Sequence, residues 1–208
     1  MSPTPAWPGY LADPFVQRTA AGYLAIGTED PAPEEGELFP VLASPDLRDW
    51  RAVGHALRRP APELGDAFWA PEIVERDGAW WLYYSVGRGI VGHRIRVARA
   101  DAAEGPYDDL GIELTPRETF AIDAHPFRDD DGSWYLFFAR DVLDAEPVGT
   151  HLAVARMASP VALAGETVPV LEPYADWQLY ERGRRMYGRE LDWHTLEGPS
   201  VVRRHGRY

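Results

Sequence analysis

Four residues that could share one chemical site recur at a fixed distance from a glycine. Asp13, Trp69, Asp123 and Glu197 each stand nine residues before one. Carboxylates crowded into one pocket shift one another's pKa values, so one can act as a base while another stays protonated as an acid. An aromatic face beside them suits a sugar ring. This combination predicts a site for the hydrolysis of glycosidic bonds.

Each acidic residue also has a purely structural interpretation. Asp13 precedes Pro14, and Glu197 precedes Gly198 and a proline, which are combinations common in loops and turns. Any one of them taken alone would more often be a turn residue than a catalytic one. Their shared spacing from a glycine favours a common site.

The segments that carry these residues repeat as a unit. The glycines are Gly22, Gly78, Gly132 and Gly206, at intervals of 54 to 74 residues. A second strand-like segment follows each of the first three glycines by about twenty residues. These segments contain, in order, Leu42-Ala43-Ser44, Val97-Ala98-Arg99 and Val154-Ala155-Arg156. A turn rich in Pro, Asp or Gly comes next, so each repeat holds about four short strands.

This organisation predicts an all-β protein, a β-propeller of four-stranded antiparallel blades. We expect one domain over residues 1–208, with blade repeats that start near 13, 69, 123 and 197. Equivalent positions on the innermost strands of a propeller converge at one end of its axis, which would bring the four residues together. The alternative is an antiparallel sandwich whose hairpins resemble one another by chance. The fourth repeat stops at Tyr208, where earlier copies begin an aromatic strand, so we expect the propeller to be incomplete.

The composition narrows the class of ligand. The 208 residues carry a formal net charge of −12, which disfavours nucleic acid or an anionic membrane surface as a partner. The chain has no cysteine, so a disulfide framework or thiolate metal site is excluded. The first residues lack the pattern of a secretory signal, and no apolar run is long enough to span a membrane. These features predict a neutral ligand and a cytoplasmic location.

Four segments, in order, resemble the signature blocks of glycoside hydrolase family 43, the five-bladed β-propeller arabinofuranosidases and xylosidases. They are YLADPFV (10–16), FWAPEIV (68–74), AIDAHPF (121–127) and TLEGPSV (195–201). The resemblance covers nearly the whole chain. It implies an inverting mechanism in which Asp13 is the general base, Asp123 tunes and orients the acid, and Glu197 is the general acid. In an inverting enzyme, the base and the acid stand about 6.5–9.5 Å apart.

Several residues on or near these motifs are predicted to contact the sugar. Trp69 matches a residue lining the pocket, and we expect its neighbour Phe68 to contribute there. His125 and His194 flank acidic positions and are predicted to bind substrate, with a structural hydrogen-bonding role as the alternative. Two further aromatic residues lie in the long third connection, where they could reach a ligand: Trp177 and Trp193.

Two departures from the family pattern affect these expectations. Asp123 is followed by Ala124 instead of proline, although the carboxylate is retained. The family's last blades, which carry a histidine associated with a calcium or sodium ion, are missing. We therefore expect no required cofactor and no metal site within this chain.

The resulting hypothesis is an inverting hydrolase that removes arabinofuranose or xylose from plant oligosaccharides. The alternative is an inactive or carbohydrate-binding propeller fragment. A retaining enzyme acting on fructosides is disfavoured, because its Asn-Asp-Pro motif cannot occur in a chain without asparagine. The oligomeric state stays open.

Overall fold

The protein is organised as three antiparallel β-sheets in chain order. The structure, a computed structural model, describes residues 6–208. The first sheet contains β1 (Ala12–Thr19), β2 (Gly22–Thr28), β3 (Leu38–Ser44) and β4 (Arg51–Leu57). The second contains β5 (Ala67–Arg76), β6 (Ala79–Arg88), β7 (Val91–Ala100) and β8 (Asp108–Glu113). The third contains β9 (Ala121–Arg128), β10 (Trp134–Val142), β11 (Gly149–Ser159) and β12 (Ala162–Leu171).

A further hairpin extends the third sheet in the stretch that was expected to be a long connection. It consists of β13 (Leu179–Met186) and β14 (Arg189–Thr195), preceded by a 3₁₀ helix at Asp176–Gln178. Gly149 and Thr150 of β11 pair in parallel with His194 and Thr195 of β14. A side chain at position 149 would collide with the carbonyl group of His194. The φ of Gly149, 155°, is also one that residues with a side chain rarely adopt. A glycine is therefore required where the hairpin joins the sheet.

The middle sheet is buried on both faces, which explains why β6 reads as a nearly continuous apolar run. Tyr83 and Tyr84 are both fully buried but point to opposite faces, as consecutive residues of a strand do. Tyr84 packs into the core between the first and second sheets, and Tyr83 into the core between the second and third. The Tyr84 hydroxyl donates to an Asp109 carboxylate oxygen (2.6 Å), and the Tyr83 hydroxyl donates to the Pro160 carbonyl oxygen (2.9 Å). Each buried hydroxyl therefore has a partner, as burial requires.

The predicted fold class is confirmed: three four-stranded antiparallel sheets form successive blades. The first strands of the blades, β1, β5 and β9, pack beside one another and so bring their ends together. Residues 197–208, the start of the fourth repeat, contain no strand, and their only bridge pairs Arg204 with Arg207. Within residues 6–208, no helix has the length and apolar character needed to cross a membrane.

Candidate active site

The first strand of each blade carries a β-bulge at the same place. The pairing register shifts between Ala12 and Phe15 in β1, between Trp69 and Glu72 in β5, and opposite Phe137–Ala139 in β9. Each bulge contains a non-glycine residue in the left-handed region: Asp13 (φ 46°), Ala70 (φ 46°) and Asp123 (φ 58°). Such a backbone costs roughly 1–2 kcal/mol per residue. Strained bulges are frequent beside active sites, where they re-aim a side chain.

The bulges correct the predicted equivalence of the four site residues. Ala70, and not Trp69, is the counterpart of Asp13 and Asp123. In the fourth segment the counterpart is Gly198, which also has positive φ (62°). Trp69 and Glu197 therefore stand one residue earlier, level with Ala12 and Ile122. The site has two adjacent layers, one that holds the two aspartates and one that holds the tryptophan and the glutamate.

The error arose because the repeated glycines occupy different places in their turns. Gly78 and Gly206 are the second residues of two-residue turns in which both residues have positive φ, after Asp77 and His205. Gly22 instead begins β2, where it pairs with Thr19. When the sequences of the first and second blades are aligned on these glycines, their strands are therefore out of register with each other by one residue. One residue matters on a strand, because it turns a side chain to the opposite face.

Hydroxyl groups connect neighbouring bulges. The Thr28 hydroxyl oxygen accepts a hydrogen bond from the Ala70 backbone N–H (2.8 Å), and the same hydroxyl donates to Asp13 Oδ2 (2.8 Å). Ser85, at the equivalent position of the second blade, accepts from the Asp123 N–H (3.2 Å). The bulges of β5 and β9 are therefore each bonded to the preceding blade, and Asp13 shares the Thr28 hydroxyl with the β5 bulge, so the packing of adjacent blades fixes the positions of Asp13 and Asp123.

The ends of these strands surround one pocket of about 240 Å³. Asp13, Trp69, Asp123 and Glu197 all line it, as the sequence predicted. These four residues come from β1, β5, β9 and the segment after β14. Blade geometry therefore does assemble them, although not at equivalent positions.

The pKa of Asp123 is raised well above the usual range of an aspartate. Burial raises its pKa to about 7, the Gly198 N–H bonded to Oδ2 (2.9 Å) works against that rise, and the negative charges of Glu197, Asp13 and Glu72 add to it. The same hydrogen bond joins Asp123 to the residue that follows Glu197. Asp123 is thus placed to orient the segment that carries Glu197.

The raised pKa gives a prediction for stability. The unfolded chain releases the Asp123 proton near pH 4 and the folded protein near pH 7, so stability falls as pH rises between these values. Asp123→Asn removes the penalty and should raise the free energy of unfolding by on the order of 3 kcal/mol at pH 8, with little change near pH 4. Chemical denaturation at both pH values measures this. The exposed Asp101→Asn is the control; an equal effect of Asp123→Asn at both pH values would contradict the assignment.

Asp141 is a fourth carboxylate in the pocket, and it belongs to none of the four sequence motifs. Burial raises its pKa to about 6 against the hydrogen bonds it accepts, and the Glu197 charge adds to the rise. Asp141 accepts from the Tyr187 hydroxyl (2.6 Å) and the Thr150 hydroxyl (3.0 Å). It is the second-last residue of β10. The one available signal was an acidic residue at the end of a buried strand.

Aromatic surface forms one wall of the pocket. The Trp69 ring stacks on the buried imidazole of His93, with ring centroids 3.7 Å apart and planes 19° apart. Phe120 packs against the same imidazole at a centroid distance of 5.5 Å, with its plane tilted by 60°. Trp69 is therefore held from beneath and can present a fixed flat face to a ligand.

The β13–β14 hairpin forms the opposite wall. Tyr180, Arg184 and Met186 of β13 line the pocket, together with Trp193 of β14. The Arg184 guanidinium lies 5.0 Å from the centroid of the Tyr180 ring. Trp193 was predicted as a possible ligand contact and does line the pocket, whereas Trp177 is exposed elsewhere.

Three predicted substrate contacts lie outside the residues that line this pocket. Phe68 is only 2% exposed and packs against Tyr84 in the core, because it faces away from Trp69 on the strand. His194 likewise faces away from the pocket, because its two neighbours on β14, Trp193 and Thr195, line the pocket. His125 points its imidazole at Glu72, at 2.8 Å. We correct the expectation for all three.

No group of three or more metal-binding side chains in residues 6–208 is arranged to hold an ion. The fold and the pocket together define a β-propeller protein with a carboxylate-rich site at the ends of its inner strands. The model of glycosyl hydrolases family 43 matches residues 2–208, and the chain belongs to that family.

Similar proteins are considerably longer than this chain. An extracellular exo-alpha-(1->5)-L-arabinofuranosidase of Streptomyces chartreusis is 28% identical over 163 residues, which cover 76% of this chain and 44% of that protein. A beta-D-galactofuranosidase, xynD, of Aspergillus niger is 33% identical over 149 residues, 64% of this chain and 44% of the relative. The structure of an endo-1,4-beta-xylanase from Bacteroides thetaiotaomicron, 28% identical, matches with a TM-score of 0.72 over 94% of this chain and 60% of that one. The chain thus spans less than half the length of the two relatives.

Proposed function

We propose that the chain forms the catalytic pocket of an inverting glycoside hydrolase that removes pentose units from oligosaccharides. The observation that carries the proposal is the meeting of Asp13, Asp123 and Glu197 in one pocket beside Trp69. Membership of family 43 and the names of an arabinofuranosidase and a xylanase among similar proteins support a pentose substrate.

In this mechanism the carboxyl groups of Glu197 and Asp13 act on opposite faces of the sugar ring. Glu197 donates its proton to the glycosidic oxygen as the bond to the anomeric carbon breaks. Asp13 accepts a proton from a water molecule whose oxygen forms the new bond from the other face, so the product has the inverted configuration. The Thr28 hydroxyl orients the Asp13 carboxylate, and Thr195 donates to Glu197 Oε1 (3.0 Å).

Asp123 has a supporting role in the proposal. Its bond to the Gly198 N–H fixes the backbone next to Glu197. Its charge is repelled by Glu197 and Asp13, which is the coupling expected of a carboxylate that adjusts a neighbouring acid.

A panel of nitrophenyl glycosides tests the proposal. The chain should hydrolyse an α-L-arabinofuranoside or a β-xyloside faster than a β-D-galactofuranoside, which is included because of the Aspergillus relative. A preference for the galactofuranoside would replace the pentose assignment while leaving the mechanism in place. Hydrolysis of none of these by the folded chain would contradict the proposed function.

The second candidate is a carbohydrate-binding propeller fragment without activity. It is favoured by one observation: the aromatic wall formed by Trp69 on His93 can bind a sugar ring whether or not the carboxyl groups act on it. Calorimetric titration with xylo- and arabino-oligosaccharides distinguishes the candidates, because binding without release of sugar identifies the fragment.

A further inference from the structure

The segment that carries Glu197 is attached to the third blade by side-chain contacts instead of strand pairing. Residues 197–203 form no strand and no isolated bridge. Near its start, the Gly198 N–H donates to Asp123 Oδ2 (2.9 Å), and three residues later the Val201 N–H donates to His125 Nε2 (3.1 Å). At its end, the Tyr208 hydroxyl donates to Asp129 Oδ2 (2.6 Å). Asp123 and His125, both on β9, therefore hold the part of the segment closest to Glu197.

The partners of His125 define its tautomer. Nδ1 lies 2.8 Å from Glu72 Oε2, and an ionised carboxylate can only accept, so Nδ1 carries the hydrogen. Nε2 faces the Val201 N–H, which can only donate, so Nε2 supplies a lone pair. The side chains of His125 and Glu72 are 13% and 20% exposed, which limits competition from water. The observed geometry is therefore that of the neutral imidazole.

We propose that His125 is a positioning residue for Glu197: in its neutral form it clamps the Glu197 segment through the Val201 N–H, and Glu72 fixes the tautomer that makes this possible. The inference rests on the proposed role of Glu197 as general acid. It replaces the predicted substrate contact of His125 with a role that acts through the backbone.

The clamp should respond to pH. A protonated imidazole has no acceptor, so Nε2 must abandon the Val201 N–H; the nearby Val201 carbonyl oxygen, at 3.4 Å, then becomes its partner. Burial alone would lower the pKa of His125, but the hydrogen bond and charge of Glu72 outweigh it, and the pKa is raised. Since the clamp needs the neutral form, it is present above this raised pKa and is lost below it.

The charged groups around His125 agree with this direction. The carboxylate paired with His125 is that of Glu72, whereas the guanidinium of Arg203, two residues after Val201, pairs with the carboxylates of the turn after β9. The acidic and basic residues on the elements around His125 are Asp13 and Arg18 of β1, Glu72, Glu75 and Arg76 of β5, Asp123 and Arg128 of β9, Asp129, Asp130 and Asp131 of the turn, and Glu197, Arg203, Arg204, His205 and Arg207 of the segment.

Hydrogen exchange of the Val201 amide, followed by NMR in the whole chain, tests the clamp independently of activity. In the wild type, the protection factor should fall at least tenfold as pH is lowered through the His125 pKa. His125→Gln offers an amide oxygen that accepts but does not titrate, so its protection should not vary with pH. In Glu72→Gln the midpoint should move to lower pH, because the charge that raises the pKa is gone. His55→Gln, on the exposed edge of the first blade, is the control and should match the wild type.

The outcomes separate this inference from the proposed function. Equal pH dependence in wild type and His125→Gln would overturn the clamp, and so would an unmoved midpoint in Glu72→Gln. If the wild type hydrolyses glycosides, His125→Phe should lower kcat at least tenfold with KM nearly unchanged, and His125→Gln should restore it. If no glycoside is hydrolysed but exchange behaves as expected, the clamp stands and the catalytic proposal fails.

Discussion

Replacement of Glu197 by Gln should reduce the hydrolysis of pentosides with poor leaving groups by about 10²–10⁴-fold. The amide cannot supply the proton that an alkoxide leaving group needs. A nitrophenyl leaving group needs little protonation, so the loss on a nitrophenyl pentoside should be much smaller. Steady-state kinetics with xylobiose and with a nitrophenyl xyloside measure the two losses.

The fold should be unaffected by this substitution. Glu197 is exposed, its hydrogen bond from Thr195 can be made to the Gln oxygen, and surface changes of this kind usually alter stability by less than about 0.5 kcal/mol. Glu190→Gln, on the exposed hairpin and outside the residues that line the pocket, is the matched control. Equal losses on both substrates would show that Glu197 does not act as the acid, and unchanged kinetics would remove it from the mechanism.

Replacement of Asp13 by Asn should give a different kinetic pattern. The general base acts on water, so its loss should reduce turnover about 10²–10⁴-fold whatever the leaving group. Asn keeps an oxygen for the Thr28 hydroxyl, which preserves the bulge geometry. The ratio of the two substrates' rates therefore distinguishes Asp13 from Glu197, even though both variants are slow.

The control for Asp13 is the exposed Asp101→Asn, which removes a carboxylate far from the pocket and should leave kcat unchanged. A leaving-group-dependent loss in Asp13→Asn would mean that the roles of the two carboxylates are exchanged. Near-normal turnover of both substrates would exclude Asp13 as the base.

The sequence predicted the blades well because their signals are local. Strand pairs and the aromatic run of β6 depend on neighbouring residues, and the first hairpins of the three blades follow the repeated segments. The register that relates equivalent strands of different blades was harder to predict. Gly22 and Gly78 look alike in sequence, yet one begins a strand and the other ends a turn, so the equivalence of Trp69 with Asp13 was wrong by one residue.

The pocket's other residues depend on contacts between distant segments. Asp141 belongs to the site only because the β13–β14 hairpin folds back and Tyr187 reaches it. The parallel pairing of Gly149 with His194 has no counterpart in the other blades and left no repeat to detect. His125 lies two residues beyond Asp123 but faces Glu72, because the bulge in β9 interrupts the regular alternation of side chains between them.

The stereochemistry of the first product tests the central claim most directly. Proton NMR of the anomeric region during early hydrolysis of a β-xyloside, or of an α-L-arabinofuranoside, records which anomer forms before mutarotation. Asp13 as base and Glu197 as acid on opposite faces predict that the first sugar released has the inverted configuration. A first product with retained configuration would contradict the assignment and require one of these carboxylates to attack the sugar itself.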